Sequence, residues 1–280
     1  MSSAKVISFI NMKGGVGKTT LAVNIGYTLA KNYRKKVLMI DVDPQMNATQ
    51  YTLNAKQVVD IFNHPRNTIF GILDNTSPLP TVMPPGTPVT TQTFQGIYPI
   101  TENFSIIPSH LMMTDLNLLE HPNRLNNYIK KELNSKYDFI FLDSPPTISA
   151  YTRIALMASN YYIVPMTTEY LPLMGLPSLE AYIAELKNEF TLDLAFLGII
   201  LNKVQPNLKL YHDIKSKILE SPEWRTKLFS NELKQTTKIG SALQQEDIDD
   251  STQFILDLKE TEVSTQISAI TDEFMQKGRF

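Results

Sequence analysis

The sequence of 280 residues contains no cysteine, which excludes disulfides, thiolate zinc sites and iron–sulfur clusters. It also has no excess of one charge, because 26 lysines and arginines face 28 aspartates and glutamates and leave a net charge of −2. Binding to nucleic acid or anionic lipid would therefore need a local patch. The sequence has no run of about 18 apolar residues that could span a membrane. Its first residues also lack the apolar run of a signal peptide. We therefore expect a cytoplasmic protein that does not bind membranes.

The sequence does contain apolar runs that alternate with helical patterns, and 42% of its residues are hydrophobic. This content and length suit one globular domain over residues 1–280. Continuous apolar strands separated by helices predict an α/β fold, with a mostly parallel, twisted sheet that helices cover on both faces. Ligands of such sheets collect at the carboxyl ends of the strands. The predicted core strands are 6–10, 37–40, 139–142, 161–164 and 194–201.

Three further segments carry weaker structural signals. Residues 104–107 predict an additional edge strand. Residues 74–101 are rich in proline and contain a single charged side chain, Asp74, so they predict an irregular surface insertion. Residues from about 252 to 277 have helical spacing with an acidic opposite face, which predicts a C-terminal helix that packs on the body.

A glycine-rich loop follows the first predicted strand and leads into a helical pattern. Gly14, Gly15 and Gly17 lack a β-carbon, so backbone N–H groups can turn inward around a phosphate, and the following helix adds its positive end. Lys18 is placed to bind the β and γ phosphates, and the Thr19 hydroxyl to coordinate Mg²⁺. The predicted nucleotide-binding residues here are Lys13, Gly14, Gly15, Val16, Gly17, Lys18, Thr19 and Thr20.

The loop departs from the usual G-x-x-x-x-G-K-T pattern, because Met12 stands where the first glycine is expected and Lys13 follows it. The stretch Lys-Gly-Gly-Val-Gly-Lys-Thr-Thr at 13–20 resembles the deviant Walker A motif of the ParA/MinD group of P-loop ATPases. In that group the first lysine reaches across a nucleotide-sandwich dimer to the partner's phosphates. The resemblance therefore implies that ATP joins two subunits and that Lys13 and Lys18 both take part in catalysis. The alternative is that Lys13 is a solvated lysine.

Aspartates follow two of the predicted strands. Asp41 and Asp43 flank Val42, so in extended geometry they would point toward one face of the phosphate site. The surrounding Val-Leu-Met-Ile-Asp-Val-Asp-Pro-Gln is similar to the second motif of the same group, which implies that Asp43 positions or activates the attacking water. Asp143 matches the Walker B aspartate that holds Mg²⁺, usually through water. The expected metal site thus comprises Thr19, Asp41 and Asp143.

Two other segments carry weaker functional signals. The Asn202 amide can both donate and accept, which suits a purine edge, and the matching position in the ParA/MinD group contacts adenine. A strand-end turn residue is an equally open interpretation of Asn202. Residues 165–176 look like the group's segment at the dimer face.

The features outside the loop distinguish between members of this group. Iron–sulfur ATPases of this group need cysteines, which this chain lacks. A MinD-like membrane regulator needs a basic amphipathic helix at its C-terminus, whereas residues 246–280 of this chain are acidic. A related bacterial tyrosine kinase needs a C-terminal tyrosine cluster, and this chain ends without one. The chain therefore resembles a ParA/Soj-type partition ATPase from residue 6 to about 248, with 50–105 excluded. This implies slow, Mg²⁺-dependent ATP hydrolysis by a dimer that binds DNA without sequence preference on the nucleoid. A ParB-type centromere-binding protein would stimulate hydrolysis. The alternative is a MinD-like or cargo-positioning regulatory ATPase that does not act on DNA.

Basic residues outnumber acidic ones in the stretch 203–238. A dimer would double this patch and give weak, salt-dependent contacts with DNA phosphates. An ordinary solvated surface is the other interpretation of the same residues. The candidate DNA contacts are Lys209, Lys215, Lys217, Arg225, Lys227, Lys234 and Lys238.

Overall fold

The structure, a computed structural model, describes residues 3–74, 94–236, 254–258 and 261–280. These residues form an eight-stranded sheet in the order β3-β4-β2-β5-β1-β6-β7-β8, in which every pairing is parallel except that of β3 with β4. The strands are β1 (Lys5–Phe9), β2 (Val37–Asp41), β3 (Tyr98–Thr101), β4 (Phe104–Ile107), β5 (Phe139–Asp143), β6 (Tyr161–Met166), β7 (Ala195–Val204) and β8 (Leu233–Lys234).

Helices connect the strands and cover both faces of the sheet. The α-helices are α1 (Lys18–Asn32), α2 (Asn47–Thr52), α3 (Ala55–Asn63), α4 (Ile69–Leu73), α5 (Arg124–Tyr128), α6 (Ala150–Met157), α7 (Tyr170–Phe190), α8 (Lys209–Glu220) and α9 (Thr261–Gly278). Short 3₁₀ turns lie at Pro65–Asn67, Leu111–Asp115 and Ile255–Asp257, and a π-helical turn lies at Ile129–Leu133. Within the described ranges, no helix is both long and apolar enough to cross a bilayer.

Successive strand residues contribute to opposite cores, as the alternation of side chains along a strand requires. On β1, Ile7 packs with α1 and α9, whereas Val6 packs with α4 to α6. Both faces are covered, so the central strands are mostly apolar. The predicted fold class is confirmed, and the five predicted core strands are found within a few residues of their predicted bounds.

The predicted edge of the sheet was wrong. Residues 104–107 do form a strand, but β3 pairs antiparallel on its outer side, so β3 is the edge. This strand lies inside the predicted irregular insertion 74–101, whose central part, 75–93, falls outside the described residues. Pro99 obscured the signal, since proline cannot donate to a ladder and is tolerated on edge strands.

The C-terminal helix begins later than predicted, at Thr261 rather than near residue 252. The part described before it contains a 3₁₀ turn that docks onto α1. Phe254 stacks on Tyr27 with ring centroids 3.9 Å apart, and Ile255 donates its N–H to Asn24 Oδ1 at 2.7 Å. These contacts tie this 3₁₀ segment to the helix that follows the glycine loop.

Candidate nucleotide-binding site

The loop between β1 and α1 adopts a backbone that only glycine takes easily. Gly15 has φ 77° and Gly17 has φ 84°, both in the left-handed region. Gly17 is also the N-cap of α1, and a β-carbon there would lie 2.0 Å from Asn202 Nδ2. The loop conformation therefore depends on glycine at position 17 for both its dihedral angle and its lack of a side chain.

The loop opens onto a cavity of about 530 Å³, within the size range of small-molecule sites. The cavity lies at the carboxyl ends of the parallel strands, the expected place for a ligand in such a sheet. Of the sequence-predicted residues, it is lined by Gly14, Gly15, Gly17, Lys18, Thr19, Thr20 and Asp43. The lining residues that sequence analysis did not single out for this site are Gln45, Asn47, Gln50, Tyr51, Ser144, Pro146 and Lys203.

Lys18 places a buried positive charge in this cavity. It is only 7% exposed, and desolvation lowers its pKa, while the charges of Asp143 and Asp43 act in the opposite direction. A bound polyphosphate would add negative charge beside the ammonium and favour its protonated form. The geometry is that of a phosphate-binding lysine.

Thr19 and Asp143 form a hydrogen-bonded pair beside Lys18. The Thr19 hydroxyl donates to Asp143 Oδ2 at 2.6 Å, and burial raises the pKa of Asp143 to about 7. Asp143 Oδ1 is buried and has no hydrogen-bond partner among the described residues. A hydrated Mg²⁺ takes oxygen ligands from one or two carboxylates together with substrate phosphates, so this unsatisfied oxygen fits that ion.

Asp41 is in register with Asp143 on the neighbouring strand, but its carboxylate bonds to the protein. Oδ2 accepts from Thr49 N at 2.8 Å and from Thr49 Oγ1 at 2.7 Å, and Oδ1 accepts from Asp43 N at 3.1 Å. Burial, together with the charge of Asp143, raises the pKa of Asp41 well above its usual value. Asp41 therefore anchors the segment that follows β2, and its contact with a metal stays a prediction.

Asp43 lines the cavity and Asp41 does not, although the charges of Asp143 and Asp43 both act on the Asp41 carboxylate. That both carboxylates point toward one face of the phosphate site therefore stays a prediction. Asp43 Oδ1 accepts from Gln45 N at 2.9 Å, and Oδ2 accepts from Asn47 Nδ2 at 3.2 Å. These bonds fix a carboxylate at the cavity wall, where it can orient a water molecule.

Lys13 is not among the residues that line the cavity of its own chain. Its ammonium forms an ion pair with Glu169, which precedes α7, and its N–H donates to Asn11 Oδ1 at 2.9 Å. Large apolar side chains next to this pair in sequence are exposed, with Met12 38%, Leu171 65% and Met174 73% accessible. Exposed apolar groups of this kind are typical of a protein-contact surface.

Asn202 supports the loop from the end of β7. It is 1% exposed, its Nδ2 donates to Val16 O at 2.9 Å, and its Oδ1 accepts from Lys203 N at 2.8 Å. The predicted contact with adenine therefore stays a prediction. The next residue, Lys203, donates from Nζ to Gly15 O at 2.7 Å, a contact that charge counting along the sequence did not single out.

The candidate DNA-contact residues are largely engaged with other groups. Lys215 forms a 3.0 Å ion pair with Glu232, and Lys234 pairs with Glu262. In addition, the Lys227 ammonium donates to Phe196 O at 3.0 Å and the Lys217 ammonium lies 5.0 Å from the centroid of the Tyr170 ring. Lys209 and Arg225 have no ion pair in the described ranges, and Lys238 lies outside them. The patch is thus partly neutralised, and its contact with DNA stays a prediction.

Comparisons with known proteins agree with this geometry. Residues 4–196 match a family model described as an AAA domain. The chain is 30% identical over 251 residues to the virulence plasmid ParA family protein pGP5-D of Chlamydia psittaci, covering 86% of this chain and 85% of that protein. It is 30% identical over 214 residues to the chromosome partitioning protein ParA of Myxococcus xanthus, covering 76% and 70%. A putative plasmid partition protein of Borrelia burgdorferi, solved with AMPPNP, has the same fold, with a TM-score of 0.71 over 99% of this chain and 100% of that one at 21% identity.

Proposed function

This chain belongs to the ParA/Soj family of partition ATPases, and from that membership and the geometry of its loop we propose that it segregates DNA as an ATP-dependent, Mg²⁺-dependent dimer. The observation that carries the proposal is the place of Lys13. This lysine lies beside the phosphate loop but does not line the cavity of its own chain. A second subunit facing the loop is the arrangement in which its charge would reach a triphosphate.

The hydrolysis step follows from the residues around the cavity. Phosphoryl transfer needs little covalent help, and its rate comes from positioning and from positive charge on the transferred group. Lys18 would bind the β and γ phosphates, and Asp43 would orient the water that attacks the γ-phosphorus as ADP leaves. Thr19 and Asp143 would hold Mg²⁺, which adds positive charge on the phosphates. We expect slow turnover, governed by closure of the dimer and by a ParB-type centromere-binding protein.

The ion pair between Lys13 and Glu169 sets a condition for dimerisation, because Lys13 must leave Glu169 before it can reach a second subunit. Formation of a wild-type dimer breaks one such pair in each subunit, and a partly exposed pair is worth a fraction of a kcal/mol to about 1 kcal/mol. Glu169→Gln removes this cost. We therefore expect it to lower the protein concentration needed for half-maximal ATP-dependent dimerisation by about 2- to 30-fold. Sedimentation velocity in the presence of a non-hydrolysable ATP analogue measures this concentration.

A matched control for this variant lies at the other end of α7. Glu189 pairs with Arg153 at 2.6 Å, with side chains 54% and 27% exposed, close to the 50% and 28% of Glu169 and Lys13. Glu189→Gln should leave dimerisation unchanged. Equal effects of the two substitutions, or weaker dimerisation of Glu169→Gln, would show that Glu169 does not restrain Lys13.

DNA binding distinguishes a partition ATPase from an ATP-dependent dimer that positions a cargo or regulates another protein. We propose that the ATP-bound dimer binds duplex DNA without sequence preference, on the nucleoid in the cytoplasm. The test is retention of plain duplex DNA with ATP and Mg²⁺ at increasing salt. Retention that depends on ATP and falls steeply with salt supports partition.

One observation favours the second candidate, a MinD-like or cargo-positioning ATPase that does not act on DNA. The ion pairs of Lys215 with Glu232 and of Lys234 with Glu262 remove two positive charges from the candidate DNA surface. A protein that dimerises with ATP but retains no DNA at low salt would establish this alternative and reject partition.

A further inference from the structure

Lys203 occupies an unusual backbone position beside the nucleotide cavity. Its φ is 53°, in the left-handed region, although it lies inside β7. The register between β7 and β8 shifts between Asn202 and Val204, so Lys203 is a bulge residue. A non-glycine residue in this region is strained, and such strain concentrates at ligand sites.

The bulge turns the side chain of Lys203 onto the phosphate loop. Asn202 Nδ2 donates to Val16 O and Lys203 Nζ donates to Gly15 O, at 2.9 and 2.7 Å. Two consecutive residues of β7 therefore bond to the carbonyls of two consecutive loop residues. Lys203 also lines the cavity, and it has no ion pair with a carboxylate in the part of the chain that the structure describes.

The hydrogen bond from Lys203 Nζ to Gly15 O indicates which part of a nucleotide lies near Lys203. In a phosphate-binding loop the N–H groups point toward the anion, and the carbonyl groups point away from it. A side chain bonded to Gly15 O therefore lies on the outer side of the phosphate cradle. The part of the nucleotide that extends beyond the cradle is the nucleoside, and the methylene stem of a lysine can cover an apolar ring face.

We propose that Lys203 is a nucleoside-contacting residue, whose stem packs against the purine and whose ammonium, held on Gly15 O, faces the ribose. This rests on the proposed binding of ATP at the loop and adds to it a residue that determines affinity for the nucleoside. This contact explains why position 203 carries lysine although its backbone is left-handed. Glycine would relieve the backbone strain, but it would also remove the side-chain stem that covers the purine.

The test compares ATP with inorganic triphosphate, which fills the phosphate cradle but has no nucleoside. Isothermal titration calorimetry of the full chain with Mg²⁺ measures both affinities for Lys203→Ala, which removes stem and ammonium, and for Lys203→Met, which keeps an apolar stem. We expect about tenfold weaker ATP binding for Lys203→Ala and about threefold for Lys203→Met. Triphosphate affinity should stay within about twofold of the wild type, which also shows that the cradle is folded.

The control is Lys56→Ala, an exposed lysine at the start of α3 that does not line the cavity, and it should leave both affinities unchanged. Equal losses of ATP and triphosphate affinity in the Lys203 variants would overturn the proposal in favour of a phosphate contact. Unchanged ATP affinity in Lys203→Ala would overturn it as well. Failure of the wild type to bind ATP would instead reject the proposed function, so the two failures are distinguishable.

Discussion

Lys18→Ala is expected to lose ATP binding and ATP-dependent dimerisation together. Lys18 is buried and lines the cavity, and the negative charges of Asp143 and Asp43 act on its ammonium. Without it, a triphosphate would meet these two carboxylates with no buried cation in place. Charge-assisted contacts in a desolvated site are strong, so we expect at least about 100-fold weaker ATP binding by calorimetry.

A lysine outside the cavity provides the control for this substitution. Lys56→Ala should bind ATP as the wild type does, because Lys56 is exposed and does not line the cavity. Circular dichroism of Lys18→Ala should retain the wild-type helix content, which separates loss of the site from loss of the fold. An ATP affinity within about threefold of the wild type would show that Lys18 does not bind the phosphates.

Asp43→Ala is expected to separate hydrolysis from binding. Its carboxylate lies at the cavity wall and bonds to Gln45 N and Asn47 rather than to the glycine loop. Removal of one positioning group costs about 100- to 1000-fold in turnover, whereas loss of a negative charge beside a triphosphate favours binding. We therefore expect kcat to fall by at least about 100-fold, with the ATP-bound dimer retained or increased.

Phosphate release and sedimentation velocity, measured on the same samples, test this separation. Asp43→Asn is the conservative companion, since its amide oxygen can still accept from Gln45 N but is a much weaker base. It should lose turnover as Asp43→Ala does. Equal loss of the dimer in Asp43→Ala and Lys18→Ala would contradict the roles assigned to the two residues.

The sequence predicted the central strands and the glycine loop well, because the burial of a strand and the backbone conformation of a loop each restrict which residue types can occur there. A strand buried on both faces must be apolar throughout, and a loop with left-handed residues at Gly15 and Gly17 must carry glycine there. The edges were less predictable. Strand β3 contains a proline and β8 has only two residues, Leu233 and Lys234, so neither carries enough periodicity to predict.

Contacts between distant parts of the chain limited the prediction of the site. Strand alternation predicted that Asp41 points toward the phosphate site, but it could not predict the hydrogen bonds that Thr49, from the next helix, donates to the Asp41 carboxylate. Charge counting likewise treated Lys215 and Lys234 as free cations, although Glu232 and Glu262 pair with them from other elements. Lys203 was one basic residue among many until the bulge in β7 placed it on the loop.

The central claim is that a triphosphate joins two copies of this chain and that Lys13 of each copy reaches the other's phosphates. Sedimentation velocity of the wild type and of Lys13→Ala, each saturated with a non-hydrolysable ATP analogue and Mg²⁺, tests it most directly. The account predicts a dimer for the wild type and a nucleotide-bound monomer for Lys13→Ala. A wild type that stays monomeric with nucleotide bound, or a Lys13→Ala variant that dimerises as the wild type does, would contradict it.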